Sequence, residues 1–146
     1  MLKPKLPPDD CSLVIRTDFS DEAAWQLVAK AIQAPQTDDQ WSADVELISD
    51  PSCAGLSPSE VCALVPGVPD LRLFLFIVDS QTIRHLERPI LVVDTEDTDL
   101  SFRVVPSAAW EVEPNLRLGN MGFDDFQMGL GADGIYRGSA PPPKGR

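Results

Sequence analysis

Two near-continuous apolar runs, LRLFLFIVD from Leu71 and PILVVD ending at Asp94, stand a short polar link apart. A half-exposed strand alternates apolar and polar side chains, so runs of this kind predict strands buried on both faces at the centre of a sheet. LVIRT, from Leu13 to Thr17, is a compact β-branched run and the first strand. DVELIS, residues 44–49, alternates and belongs nearer the sheet margin. Over residues 19–33 the period is helical: Ala24, Leu27, Val28, Ala31 and Ile32 fall on one face with Trp25 at its edge. Glu22, Gln26, Lys30 and Gln33 fall opposite. Asp18 stands at the N-cap and Pro35 ends the element.

Ser57-Pro58-Ser59-Glu60 predicts a second helix start, with Ser as cap, Pro at the first helical position and Glu reaching back. Val61, Leu64 and Val65 form its buried face. The link from Ser80 has room for two helical turns. Six residues, 95–100, separate strands at 90–94 and 101–105, too few for a crossover, so these two form an antiparallel hairpin. Past Pro106 the pattern predicts a short helix over 107–113, another within 120–126, and a closing edge strand over 134–138. Strands alternating with helices give a three-layer α/β domain with a mostly parallel central sheet, to which an antiparallel hairpin and edge are added near the C-terminus. The folded domain spans residues 12–138, between a Pro- and charge-rich arm at 1–11 and a tail at 139–146; both flanking segments are expected to be disordered.

Charge changes the picture next. Twelve basic residues against 23 acidic give a net charge of −11, which argues against nucleic-acid binding and against an anionic membrane surface. It is compatible with a basic protein partner or a metal, and its commonest meaning is plain solubility. Cys11, Cys53 and Cys62 contain no CxxC pair, and His85 is the single histidine, so a Cys/His zinc site lacks ligands. Reduced thiols, no apolar run of membrane-spanning length and no signal-like N-terminal core lead to the expectation of a cytoplasmic protein.

Ligands of open α/β sheets bind outside the carboxyl ends of the strands. Asp18, Asp50, Asp79 and Asp94 stand at such ends. With parallel central strands, Asp18, Asp79 and Asp94 share one edge and could hold Mg²⁺. The plain alternative is that these acids cap helices and turns. A haloacid-dehalogenase-like motif fails because Glu96 occupies the place of the second aspartate in VVDTEDT, and a receiver-like site fails because no lysine follows a late strand. Arg16, Arg103 and Arg137 lie within apolar strands, where an unpaired charge would be costly, so they pair with the strand-end aspartates or line an anion pocket. Trp41, in a polar loop, is the aromatic residue expected to make an exposed contact.

The strings LVIRTDFSDEAAW, FLFIVD with PILVVD, and FRVVPSAAWEVEPNLRLGNMGFDDF…DGIYRG together resemble a family of small uncharacterised domains of actinobacteria and fungi, filed as a domain of unknown function. The resemblance spans roughly residues 13–138. It implies one compact domain, carries over no catalytic residue, and directs attention to Asn115, Asn120, Asp125, Asp133 and Arg137. The expectation is a small acidic binding or regulatory module, in its specific form an immunity-type inhibitor of a basic protein. The alternative is a divalent-metal-dependent enzyme acting on a phosphorylated small molecule, with Asp18, Asp79 and Asp94 as ligands and Arg103 or Arg137 on the anion.

Overall fold

The computed structural model describes residues 11–68 and 72–138. The expected arm and tail, Cys11 apart, lie outside them, as does Leu71. Six strands form one sheet: β1 (Ser12–Arg16), β2 (Val45–Ile48), β3 (Phe74–Val78), β4 (Ile90–Asp94), β5 (Ser101–Val104) and β6 (Ile135–Tyr136), in the order β2-β1-β3-β4-β5-β6. β1 pairs in parallel with β2 and β3, and β5 with β6; β4 is antiparallel to both neighbours. The sheet is therefore mostly parallel, with β4 alone reversed. The peripheral place of β2 and the 90–94/101–105 hairpin match the hydrophobic pattern.

The reversal of β4 corrects the expectation that the central strands are parallel. A parallel return needs a crossover of a dozen or more residues. Between β3 and β4 lie only residues 79–89, of which α3 (Ser80–Arg84) takes 5. The chain turns back beside β3.

Because side chains alternate across a strand, the continuous apolar runs feed two cores. Val14, Phe74, Phe76, Val78, Val92 and Val104 pack with α1 (Glu22–Gln33), α4 (Ala109–Arg117) and α5 (Phe123–Gln127). Leu13, Ile15, Leu75, Ile77 and Val93 pack under α2 (Pro58–Leu64) and a 3₁₀ turn at Pro51–Cys53. These are the three layers.

Local chemistry explains most element ends. Ser57 and Glu60 close the expected capping box of α2. The cap of α1, however, is Asp21, whose carboxylate accepts the Ala24 N–H at 3.0 Å, whereas Asp18 folds back on Ser20. The buried stripe of α1 is Ala24, Trp25, Val28, Ala29 and Ile32, rotated from the expected face, and Leu27 is 57% exposed. Trp25 draws the helix round because its ring lies beneath the buried Arg16 guanidinium, 5.0 Å away. The helix expected over 107–113 becomes a 3₁₀ turn at Pro106–Ala108 followed by α4, which continues through Pro114. A run of rings holds the last elements down: Phe102 stacks on Phe126 at 5.5 Å, and Phe126 meets Tyr136 edge-on at 5.1 Å.

The outer edge of β6 is occupied by its own turn. Gly131 N–H donates to the Ile135 carbonyl at 3.0 Å, and Ile135 N–H donates to Asp133 Oδ1 at 3.2 Å. Arg137 then fixes the turn through Asp133 and Glu87.

Candidate functional site

The carboxyl edge of β1 and β3 is the switch point of the sheet, where the chain leaves β1 toward β2 and later returns on the other side as β3. Here the chain's own bonds draw β1, β3 and the following loops together, and a pocket of ≈460 Å³ lies beside them, lined by Asp79, Ser80, His85 and Arg103. Thr17 and Asp18 N–H donate to the Val78 carbonyl at 2.9 and 3.4 Å, and Gly55 N–H donates to the Thr17 carbonyl at 2.8 Å. Asp50 caps the 3₁₀ turn through Ser52. Asp79 caps α3, accepting from Thr82 N–H and Oγ1, and receives both Nη atoms of Arg103 at 2.9 and 2.8 Å. Burial raises the Asp79 carboxyl, but the Arg103 hydrogen bonds and charge, with Thr82, outweigh it and hold the group below the usual carboxylate range.

Asp94 is not there. It pairs in register with Phe74, at the opposite end of β3 from Asp79, about 16 Å away at strand rise. The antiparallel course of β4 thus separates Asp94 from Asp18 and Asp79, and the expected shared edge does not exist. Among the described residues no three His, Cys, Asp or Glu side chains are grouped to hold one metal ion.

The other candidates divide between structural pairing and surface. Arg16 is buried against Glu22 at 2.9 Å and Ser49 at 3.1 Å, with Phe19 and Trp25 over its guanidinium. Arg137 bridges Glu87 and Asp133, each at 2.7 Å, which raises its own pKa and lowers both of theirs. Asn115 Nδ2 donates to the Glu111 carbonyl at 2.8 Å and its Oδ1 faces Asn120 at 3.5 Å, so this pair shapes the turn after α4. Asp125 accepts Gly122 N–H at 2.8 Å and caps α5. Trp41 is 58% exposed.

The structure also opens at the amino edge of β1 and β3. A groove of ≈470 Å³ runs between the end of β4 and the start of α5. Its floor is Leu73, Phe74, Leu116, Met121 and Phe123; Asp94, Glu96, Asp124 and Asp125 stand around it. Leu73 is half exposed, and Glu96, Asp124 and Asp125 face solvent. A second cavity, ≈110 Å³, adjoins it and shares Leu73, Phe74 and Leu116, but it is lined by Arg72 and Arg117. Below it lies Glu113, 0% exposed, which accepts from Ser12 Oγ at 2.9 Å, Asp44 N–H at 3.0 Å and Arg117 Nε at 2.6 Å. Sequence reasoning missed Glu113, Arg72 and Arg117. The signal available was Glu113 itself, a charge four residues before Arg117 on the face of α4 that also carries Val112 and Leu116.

No curated protein matches this chain. A family model described as a domain of unknown function matches residues 11–139, and the chain belongs to that family, DUF6924.

Proposed function

We propose that the domain is a binding module for a basic protein partner, engaged at the groove between β4 and α5. The observation that carries this reading is the pairing of an apolar floor with a carboxylate rim: Leu73, Met121 and Phe123 offer contact area over buried Phe74 and Leu116, and Asp94, Glu96 and Asp124 offer complementary charge. Apolar anchors supply affinity in such an interface while rim charges set the partner and the rate of encounter. The net charge of −11 supports the same choice. An immunity-type inhibitor that masks a basic protein is the specific form of this role.

The test is a titration of the labelled domain with short peptides carrying Lys or Arg next to a leucine, followed by amide NMR. Shifts are expected at residues 94–100 and 121–125, weakening as salt screens the rim and lost in Glu96→Lys/Asp124→Lys. Equal binding of acidic peptides, or shifts confined to the Asp79 edge, would overturn it.

A further inference from the structure

The two margins of the sheet end differently. β6 closes its outer backbone groups on its own turn, whereas β2 leaves its outer groups open. Ser12 N–H donates to the Asp44 carbonyl at 2.9 Å, so in this parallel pair residues 44, 46 and 48 turn their backbone groups toward β1. Val45 and Leu47 turn theirs outward, and no described residue bonds to those groups. The strand is anchored at its start, where Asp44 N–H donates to the buried Glu113 carboxylate at 3.0 Å. Val45 and Leu47 rest half-buried against the larger core, while Glu46 and, just before the strand, Asp44 stand exposed on the opposite face. Asp38 and Asp39 are exposed in the loop leading into β2, and none of these four carboxylates makes an ion pair with a described residue. No Lys, Arg or His occurs between Lys30 and Arg72.

We infer that the outer edge of β2 takes an extended segment of a partner protein, added as a further strand, with Lys or Arg at alternate positions. The inference goes beyond the groove reading and stands without it, since β1 and β3 lie between β2 and β4. An unpaired strand edge is a template for strand addition, in which main-chain bonds give affinity and alternate side chains give specificity. The added strand bonds the outward groups of Val45 and Leu47 and lays apolar side chains beside theirs on the α1 face. Its basic side chains fall beside Asp44 and Glu46 on the other face. The same charges decide against a second copy of this chain. An antiparallel copy that pairs Val45 with Leu47 sets Glu46 against Glu46, and like charges directly opposite destabilise a sheet.

The probe is a pentapeptide alternating lysine and valine, capped at both ends, titrated into the whole isotope-labelled protein and read by amide shifts and hydrogen exchange. Exchange at Val45 and Leu47 is expected to slow about tenfold at saturation, and less as salt screens the carboxylates. A peptide of the same composition with its lysines in one block should bind about tenfold more weakly, because it cannot set them on one face. Asp44→Lys/Glu46→Lys should reverse the preference, losing the lysine peptide and taking its glutamate counterpart. Thermal unfolding confirms that this variant folds, and Asp44→Asn/Glu46→Gln, which removes the charges alone, should weaken the lysine peptide in the same direction. Binding with unchanged exchange at Val45 and Leu47, or no binding, overturns the inference. Shifts confined to residues 94–100 and 121–125 overturn it while leaving the groove reading intact. Slow exchange of the two amides in the free protein also overturns it, because the edge is then already covered, by a second copy if sedimentation shows a dimer.

Discussion

The two edges of the sheet use their charges differently. At the carboxyl edge of β1 and β3 each acid answers a local need: Asp18 holds Ser20, Asp50 and Asp79 cap the elements that follow them, and Arg103 neutralises Asp79. At the amino edge one carboxylate, Glu113, is buried among three donors, while others stand exposed around an apolar floor. A carboxylate engaged by backbone N–H groups and a guanidinium has little left to offer a ligand. The usual binding edge of an α/β sheet here spends its acids on structure, leaving a pocket beside the paired Asp79 and Arg103, whereas the groove at the opposite edge is rimmed by exposed carboxylates.

The comparison can be broken most directly at Glu113. Glu113→Ala leaves Ser12 and the Asp44 N–H without their acceptor and Arg117 without its counter-charge, and should cost about 3 kcal/mol in denaturant unfolding. A loss below 1 kcal/mol would mean the amino edge is not held by this cluster. Asp79→Ala removes a cap and an ion pair together and should cost about 2 kcal/mol. Asn still caps, so Asp79→Asn isolates the pair at about half that.

This second contrast has a pH signature. The Asp79 carboxyl sits below its ordinary value in the fold, so its contribution is present above the unfolded pKa of about 3.9 and is lost as pH falls through the folded one. The gap between the protein and Asp79→Asn should be constant near neutrality and close below about pH 4. A gap that widens in acid would contradict the assignment.

Ser57→Ala, away from both edges, should cost about 1 kcal/mol as the loss of a cap alone. Smallest of all, Glu96→Lys/Asp124→Lys should change stability by no more than about 0.5 kcal/mol, because these side chains face solvent. A large loss there would make the rim structural and erase the difference between the edges.

Strand placement and the capping box were legible because they depend on neighbours in sequence: alternation in 44–49, unbroken apolar runs at 74–78 and 90–93, and Ser57-Pro58 with Glu60. The direction of β4 was not, since it depends on how short a link can be before a crossover fails, and with it went the placement of Asp94. The choice of Asp21 over Asp18 as cap turns on which backbone N–H each carboxylate reaches, which spacing alone leaves open. The groove was hidden for another reason. Asp94, Leu116 and Asp124 come from β4, α4 and α5, and only the folded sheet brings them to one edge.

The reversal of β4 also bears on how the molecule assembles. β3, β4 and β5 form a meander over residues 74–104 joined by short links, whereas β1 must wait for β3 across some sixty residues of chain. Loop closure favours near neighbours. The meander should therefore be an early cooperative unit, its amides protected first in pulse-labelling exchange, with β1 and β2 docking onto it afterwards. A single strand turned against its neighbours thereby converts the middle of a mostly parallel sheet, the slow kind to build, into a local template on which the rest can form.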